Sequence, residues 1–281
     1  MDVVARLLAD RPSFHQRGAA KWDSLPETLR QIQRAVPDGA TTLETGCGAS
    51  TVVFAASGAH HTAISPDPDE HRRVRDYCER IGVDHSRLRL VVGLSDEVLP
   101  KMPAQRVLDV AFIDGAHSFP YPALDWYYIT RMLKVGGQLV FDDVPVPAVA
   151  PLFRHMSLEP NWRFEAVLDD RAAAFSLLAP PAPEEWSSQP FNAAYPDYSF
   201  VSLPERSRLV AAHRVRRLRA EMARRYPRLR RTWKELSKGS SSDAGRDDLA
   251  AATHGSTDGS EAGPTVGSAA GPAAPQHAGA A

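Results

Sequence analysis

The sequence has few cysteines, no long apolar run and almost no net charge, and each shortage excludes a class of protein. Its 281 residues include two cysteines, Cys47 and Cys78, without a CxxC spacing, so neither a disulfide framework nor a zinc site is expected. The formal net charge of -1 argues against attraction of the whole chain to nucleic acid. No run approaches the ~20 apolar residues of a membrane helix, and residues 1–18 lack a signal-peptide core. We therefore expect a cytoplasmic protein.

Strand-like and helix-like segments alternate from residue 40 onward. Short apolar runs predict five strands, at 41–45, 61–65, 87–93, 107–114 and 137–143. Helices are predicted between them, one opening at Pro68 and another opening at Pro120 to Pro122 and ending at Gly136, because proline suits a first turn and glycine a C-cap. This alternation is typical of βαβ units on a mostly parallel sheet.

The last two predicted strands, WRFEAVLDD and AAAFSLLA, are separated only by a short turn at 169–171. A connection that short cannot hold a crossover, so these strands should pair antiparallel. The predicted fold is α/β, a Rossmann-like seven-stranded and mostly parallel sheet with an antiparallel last strand and helices on both faces.

Composition divides the chain into five predicted parts. They are a helical cap (1–39), the α/β domain (40–180), a linker rich in proline and aromatics (181–204), an arginine-rich amphipathic helix (205–237) and a disordered tail (238–281). The tail is rich in Gly, Ala, Ser and Thr and cannot bury enough apolar surface to fold.

The segment LETGCGAST, residues 43–51, follows the first predicted strand. A Gly-x-Gly at this point lets the backbone turn tightly and approach a ligand beside the next helix N-terminus. A dinucleotide site would have a third glycine where Thr51 stands. The acid Glu44 suits a cationic ligand, such as a sulfonium with an α-amino group, although a tight turn with a solvated glutamate would explain the same residues.

Three carboxylates, Asp114, Asp142 and Asp143, follow the fourth and fifth predicted strands. If those strands are neighbours ~4.8 Å apart, their carboxyl ends meet in one crevice. The carboxylates would repel each other unless a cation lay among them, and hard oxygen ligands suit Mg²⁺. In the alternative interpretation Asp143 caps a helix and Asp114 orders the turn at Gly115.

Four segments together resemble class I S-adenosylmethionine-dependent methyltransferases: ETGCGAST, SPDPDEHRRVRDYC, GLSDEVLP and FIDGAHSFPYPALDWYYITRMLKVGGQLVFDDV. The resemblance is strongest to bacterial small-molecule O-methyltransferases of the macrocin and catechol type, the metal-dependent group. It covers about residues 40–180, and FIDGAH with VFDD is its most specific part. It implies transfer of a methyl group from S-adenosylmethionine to a hydroxyl of a small molecule, assisted by Mg²⁺.

The resemblance also implies residue roles. Glu44 would lie near the methionine amino group, Ser95 and Asp96 would line the adenine, and Ser65 stands where the family holds the ribose with an acid, so Asp67 is the predicted substitute. The full cofactor prediction comprises Glu44, Gly46, Cys47, Gly48, Ser50, Ser65, Asp67, Ser95, Asp96 and Asp114, and the metal prediction comprises Asp114, Asp142 and Asp143.

His117 is the predicted catalytic base, acting together with Asp114. It lies three residues after Asp114, where catechol-type relatives carry a catalytic lysine, and an imidazole titrates near neutrality. A merely hydrogen-bonded histidine is the alternative. Phe119 and Tyr121 are candidates for the acceptor pocket, whereas Trp126 and Tyr127 have the spacing of core residues.

The arginine-rich helix leaves other functions open. An apolar stripe through Val215, Leu218 and Met222 beneath arginines could bind RNA, an anionic membrane or a partner helix. We expect instead that it packs on its own domain or in a homodimer. The alternatives to a small-molecule enzyme are an RNA-directed methyltransferase and a noncatalytic Rossmann-like binding protein.

Overall fold

A computed structural model describes residues 2–15, 24–180, 189–194 and 197–225. The chain divides into two compact units, Met1–Asp197 and Tyr198–Ala281. The strands of the first unit are β1 (Thr41–Thr45), β2 (His60–Ser65), β3 (Leu88–Val92), β4 (Leu108–Ile113), β5 (Leu133–Phe141), β6 (Trp162–Leu168) and β7 (Ala172–Leu177). Its helices are α1 (Val3–Asp10), α2 (Pro26–Ala35), α3 (Ala49–Ala56), α4 (Pro68–Ile81), α5 (Ser95–Val98), α6 (Tyr121–Met132), α7 (Ala150–Leu158) and α8 (Pro190–Ala194), with a 3₁₀ turn at Leu99–Lys101.

The seven strands form one sheet in the order β3-β2-β1-β4-β5-β7-β6. The pairs from β3 to β5 are parallel, and β7 is antiparallel to both β5 and β6, which confirms the predicted fold. The chain steps outward from β1 to β3 and then returns to the other side of β1 with β4. A crevice opens at such a switch point beyond the carboxyl ends of the strands, where open α/β sheets bind ligands.

Two apolar layers bury the central strands on both faces. One layer packs α1 to α4 on the sheet and includes Phe54 and Phe112, and the other packs α6 and α7 and includes Leu43 and Phe141. Because both faces are covered, β1 and β4 are buried along nearly their whole length, as parallel strands are in α/β folds.

The ends of α4 follow the sequence signals. Asp67 caps the helix by accepting a hydrogen bond from the Asp69 N–H at 2.8 Å, Pro68 occupies the first turn, and Gly82 ends the helix at φ 71°. The predicted start at Pro68 is confirmed.

The prediction for α6 was wrong at its C-terminus. The helix ends at Met132 and β5 begins at Leu133, so Gly136 lies in the strand at φ 84° and is not a helix cap. The β4–β5 register shifts between Leu108 and Val110, and a Cβ on Gly137 would lie 2.9 Å from the Lys134 carbonyl oxygen. Gly136, which the sequence suggested as a helix end, therefore belongs with Gly137 to the irregular start of β5.

In the second unit the structure describes one long helix, α9 (Leu203–Arg225). Leu218 is 59% exposed on it. Residues 226–237 of the predicted basic helix and the predicted disordered tail lie outside the described residues, as do 181–188 and 195–196 of the linker and 16–23 of the helical cap. Within the described ranges no helix combines the length and the apolar character needed to cross a bilayer.

Candidate active site

The turn after β1 depends on a glycine. Gly46 has φ 105°, a conformation that L side chains rarely adopt, and its N–H donates to the Ile64 carbonyl at 2.8 Å. A Cβ there would lie 2.5 Å from the Asp114 carbonyl oxygen. The loop after β1 therefore packs against the loop after β4, and this contact closes the floor of a crevice.

Glu44 lies beneath this turn with its side chain fully buried. Its carboxyl group accepts hydrogen bonds from Ser50 Oγ at 2.6 Å and from Thr51 Oγ1, and His61 Nε2 lies 3.2 Å away. Thr51 Oγ1 in turn accepts the Gly48 N–H at 2.9 Å. Glu44 is not among the residues that line the cavity, and its expected place near the methionine amino group stays a prediction. Its carboxyl group holds the glycine turn in place.

A cavity of about 550 Å³ opens above the turn, at the carboxyl ends of the central strands. Pockets of 300–1,000 Å³ are typical of small-molecule sites. The predicted site residues that line it are Gly46, Cys47, Gly48, Ser50, Ser65, Asp67, Ser95, Asp114, His117 and Asp143. Asp96 and Asp142 do not line it. The topology thus brings most of the predicted residues to one cavity.

Glu70 supplies a carboxylate beside Ser65. It lies in the first turn of α4, where its Oε2 accepts a hydrogen bond from Ser65 Oγ at 2.6 Å and its Oε1 lies 2.6 Å from His15 Nδ1. Glu70, Ser65 and His15 all line the cavity. Asp67 lines it too, but one of its oxygens caps α4. The acid that the sequence lacks at the end of β2 therefore comes from the next helix.

Asp114 and His117 lie on the loop after β4. Asp114 Oδ2 accepts a hydrogen bond from Ser24 Oγ at 3.2 Å, and burial, followed by the charges of Asp142 and Glu44, raises the pKa of Asp114 well above its usual range. His117 Nδ1 lies 3.5 Å from Asp143 Oδ2, and its Nε2 lies 3.9 Å from Asp114 Oδ1. Among the described residues, His117 Nε2 has no hydrogen-bond partner.

Arg171 lies between the remaining carboxylates. Its Nε is 2.9 Å from Asp142 Oδ1, its Nη2 contacts Asp142 Oδ2, and its Nε is 3.3 Å from Asp143 Oδ1. Asp142 Oδ1 also accepts the Asp143 N–H at 2.8 Å. Arg171 lines the cavity. The two neighbouring carboxylates therefore face a guanidinium, and the bidentate pair with Asp142 is the strong, geometrically specific kind.

The predicted Mg²⁺ site does not fit this donor set. Across the described part of the chain, no three His, Cys, Asp or Glu side chains are grouped so that they could hold a metal ion. Mg²⁺ requires oxygen ligands in near-ideal octahedral geometry at about 2.0–2.1 Å, whereas both oxygens of Asp142 are engaged by the guanidinium. The sequence prediction overlooked Arg171.

A further buried acid lies behind the cavity wall. Asp125 on α6 is fully buried, and within the described ranges neither of its oxygens has a hydrogen-bond partner. Burial raises its pKa to about 6, opposed by the nearby hydroxyls of Ser95 and Thr45. Asp96, predicted to line the adenine, keeps one buried oxygen without a partner among the described residues. These acids lie at the wall and do not face the cavity.

The aromatic candidates and Cys47 divide by their surroundings. Tyr121 lines the cavity, whereas Phe119 is 81% exposed. Trp126 packs against the core as predicted, and Tyr127 lies on the surface beside Arg131. Burial raises the pKa of the Cys47 thiol far above its usual range, so that thiol contributes to the cavity wall and is not a nucleophile.

Sequence reasoning missed Arg171, Glu70 and His15. Arg171 had no local signal, because the sequence does not tell that β7 pairs with β5 and brings the preceding turn beside Asp142. Glu70 had a signal, since an acid three residues after an Asp cap points back to the start of its helix. His15 had none, because it precedes the sheet and reaches the cavity through the chain's overall path.

Residues 43–144 match the family model of a methyltransferase domain. This match confirms the predicted methyltransferase domain within residues 40–180. No curated protein sequence matches the chain.

Several solved structures share the fold. The O-methyltransferase TomG of Streptomyces achromogenes, solved with SAM, is 13% identical over 64% of this chain and 91% of its own, with a TM-score of 0.51. An O-methyltransferase of Bacillus cereus solved with SAH is 15% identical over 64% and 91%, with a TM-score of 0.51. The methyltransferase PaMTH1 of Podospora anserina, bound to SAH, is 15% identical over 64% and 89%, with a TM-score of 0.50. At these identities the likeness establishes the fold.

Proposed function

We propose that this chain, a methyltransferase with the class I fold, transfers a methyl group from S-adenosylmethionine to a hydroxyl of a small-molecule acceptor. The observation that carries the proposal is the single cavity, which joins the glycine turn after β1 to His117 and Asp114 after β4. A nucleotide-like cofactor and a proton acceptor would therefore share this cavity.

The cofactor would lie across the carboxyl ends of β1 and β2. The backbone of Gly46 to Gly48 lets the methionine portion approach closely, and the N-terminus of α3 supplies free N–H groups for its carboxylate. Glu70 and Ser65 would hold the ribose hydroxyls, because a carboxylate accepts two hydrogen bonds from a vicinal diol. Ser95 would lie toward the adenine. SAM and SAH are the ligands of fold relatives, which supports this choice.

His117 would accept the proton of the acceptor hydroxyl. If the Nδ1 proton points toward Asp143 at 3.5 Å, Nε2 carries the lone pair, and this buried atom has no hydrogen-bond partner among the described residues. The oxygen then attacks the methyl carbon, the carbon–sulfur bond breaks, and the sulfonium becomes a neutral thioether. A positioned base of this kind contributes about 10²–10⁴-fold to rate, and alignment of the oxygen with the methyl group contributes further.

The acceptor is proposed to be small. The cavity of about 550 Å³ has room for the cofactor and a compact acceptor, and Tyr121 on its wall offers an aromatic surface. O-methyltransferases are among the fold relatives, which favours oxygen as the methylated atom.

His117→Ala tests the proposed role. We expect kcat for labelled-methyl transfer to an acceptor pool to fall by about 10²-fold or more, while the affinity for S-adenosylhomocysteine, measured by calorimetry, stays unchanged. His85→Ala is the matched control, since that imidazole lies beside Glu79 and away from the cavity. An unchanged kcat in His117→Ala would remove the base from the proposal, and equal losses of kcat and of affinity would assign it a binding role.

A further inference from the structure

The position of Arg171 is fixed from both sides of the site. It follows Asp169 and Asp170 in the turn between β6 and β7, and its N–H donates to the Leu168 carbonyl at 3.0 Å. Its own carbonyl accepts the Val144 N–H at 2.8 Å. The backbone that carries Arg171 is therefore joined to the segment that follows Asp142 and Asp143, which places the guanidinium beside both carboxylates.

A second set of contacts holds the turn itself. Asp169 Oδ2 accepts hydrogen bonds from the N–H and the hydroxyl of Thr28 at 2.9 and 3.1 Å, and the Asp169 N–H lies 3.2 Å from Glu27 Oε2. These contacts tie the turn to the start of α2. Because contacts to Val144 and to the start of α2 hold this turn beside the two carboxylates, Arg171 can pair with them without a backbone rearrangement, which favours the ion pair.

The charges at this end of the sheet require a cation. Asp142 is almost completely buried and Asp143 follows it directly, and each is within 3.3 Å of an Arg171 nitrogen. Burying the Asp142 carboxylate without a positive partner would be very costly, and the Asp143 side chain, which is 28% exposed, adds a second negative charge beside it. Arg171 supplies the positive charge, and a guanidinium stays protonated at every pH at which the protein is folded.

We propose that Arg171 is a resident cation that takes the place of a divalent metal ion at the carboxylates after β4 and β5, so that the enzyme works without Mg²⁺. The inference rests on the proposed methyl transfer for its functional meaning, but the metal exclusion follows from the ion pair alone. A divalent ion among Asp114, Asp142 and Asp143 would have to displace the guanidinium or lie beside a like charge. The Arg171 side chain is 26% exposed and lines the cavity, so its positive charge acts on an acceptor oxygen as that oxygen loses its proton.

The test is a gain of metal binding. Mn²⁺ accepts the same oxygen ligands as Mg²⁺, and free Mn²⁺ can be counted by electron paramagnetic resonance. The wild-type protein should bind no Mn²⁺ more tightly than about 1 mM. Arg171→Met removes the cation and leaves the carboxylates, so it should bind one Mn²⁺ at least ~10-fold more tightly, and added Mn²⁺ should raise its Tm. Arg171→Met combined with Asp142→Asn should lose that binding again.

Lys134→Met is the matched control, because Lys134 Nζ pairs with Asp109 Oδ1 at 2.7 Å far from the cavity residues. It should gain no Mn²⁺ binding. One saturable Mn²⁺ per wild-type chain, lost in Asp142→Asn, would overturn the proposal, and so would a folded Arg171→Met variant that binds no Mn²⁺. If Arg171→Met does not fold, the wild-type titration decides. S-adenosylhomocysteine titrated into the same wild-type sample reports separately on the proposed function, since failure to bind it would leave the Mn²⁺ result standing.

Discussion

Replacing Glu44 by alanine should destabilise the protein rather than remove a ligand contact. The side chain is fully buried and groups of Ser50, Thr51 and His61 face its two oxygens. A hydrogen bond to a charged group contributes about 1.5–3 kcal/mol, and a buried polar group left without a partner costs about 1–3 kcal/mol. Because the three contacts share one carboxyl group and are not additive, we expect Glu44→Ala to lower the free energy of unfolding by about 4 kcal/mol.

Urea denaturation measures this loss, and two variants give it a scale. Glu44→Gln keeps the volume and one acceptor oxygen, so it should lose only about 1–2 kcal/mol. Glu79→Ala, which removes an exposed glutamate beside His85, should change stability by less than about 0.5 kcal/mol. If Glu44→Ala lost less than about 1 kcal/mol while the affinity for S-adenosylhomocysteine collapsed, the carboxyl group would be a direct ligand contact and our reasoning would be refuted.

Two further predictions concern buried or cavity-lining acids. Glu70→Gln should weaken S-adenosylhomocysteine binding about 10-fold, equivalent to ~1.4 kcal/mol, because the ribose would lose a charged acceptor. Calorimetry measures the affinity, with Glu79→Gln as the control. Equal affinities of wild type and Glu70→Gln would remove Glu70 from the site. Asp125 has a pKa raised to about 6 by burial, so the folded state holds its proton where the unfolded state has released it, and stability falls as pH rises between about 4 and 6. The free energy of unfolding of Asp125→Asn, relative to that of wild type, should therefore rise by about 2–3 kcal/mol across that window and stay constant at higher pH. Parallel curves of stability against pH for the two proteins would contradict the assigned pKa.

The fold could be predicted because its signals are local and agree with one another. Pro68 and Gly82 mark the ends of α4 in sequence and in structure, and the short turn at Asp169 left β6 and β7 no geometry but an antiparallel hairpin. The end of α6 misled because glycine serves helix caps and irregular strands alike. Only a long-range contact, the pairing of β4 with β5, decides whether Gly136 caps a helix or lies in an irregular strand.

The candidate site was predictable in its place but not in its charges. Parallel strand order sets which carboxyl ends meet, and that suffices to bring Gly46 and Asp114 together. It does not tell which cation neutralises Asp142, because Arg171 arrives from a hairpin that is distant in sequence. The strand order also does not predict that Glu44 points below the glycine turn. Side chains alternate between the two faces of a strand, and the residues that hold the turn lie on its buried face.

The cavity above Gly46 is the proposed binding site of S-adenosylmethionine, and every functional role assigned above depends on this assignment. Calorimetric titration of the wild-type protein with S-adenosylhomocysteine tests this assignment without a known acceptor. We expect one site per chain with a dissociation constant below about 100 µM. The double variant Glu70→Gln, Ser65→Ala should give no binding heat. A titration without saturable heat, from protein whose cooperative unfolding shows it to be folded, would contradict it.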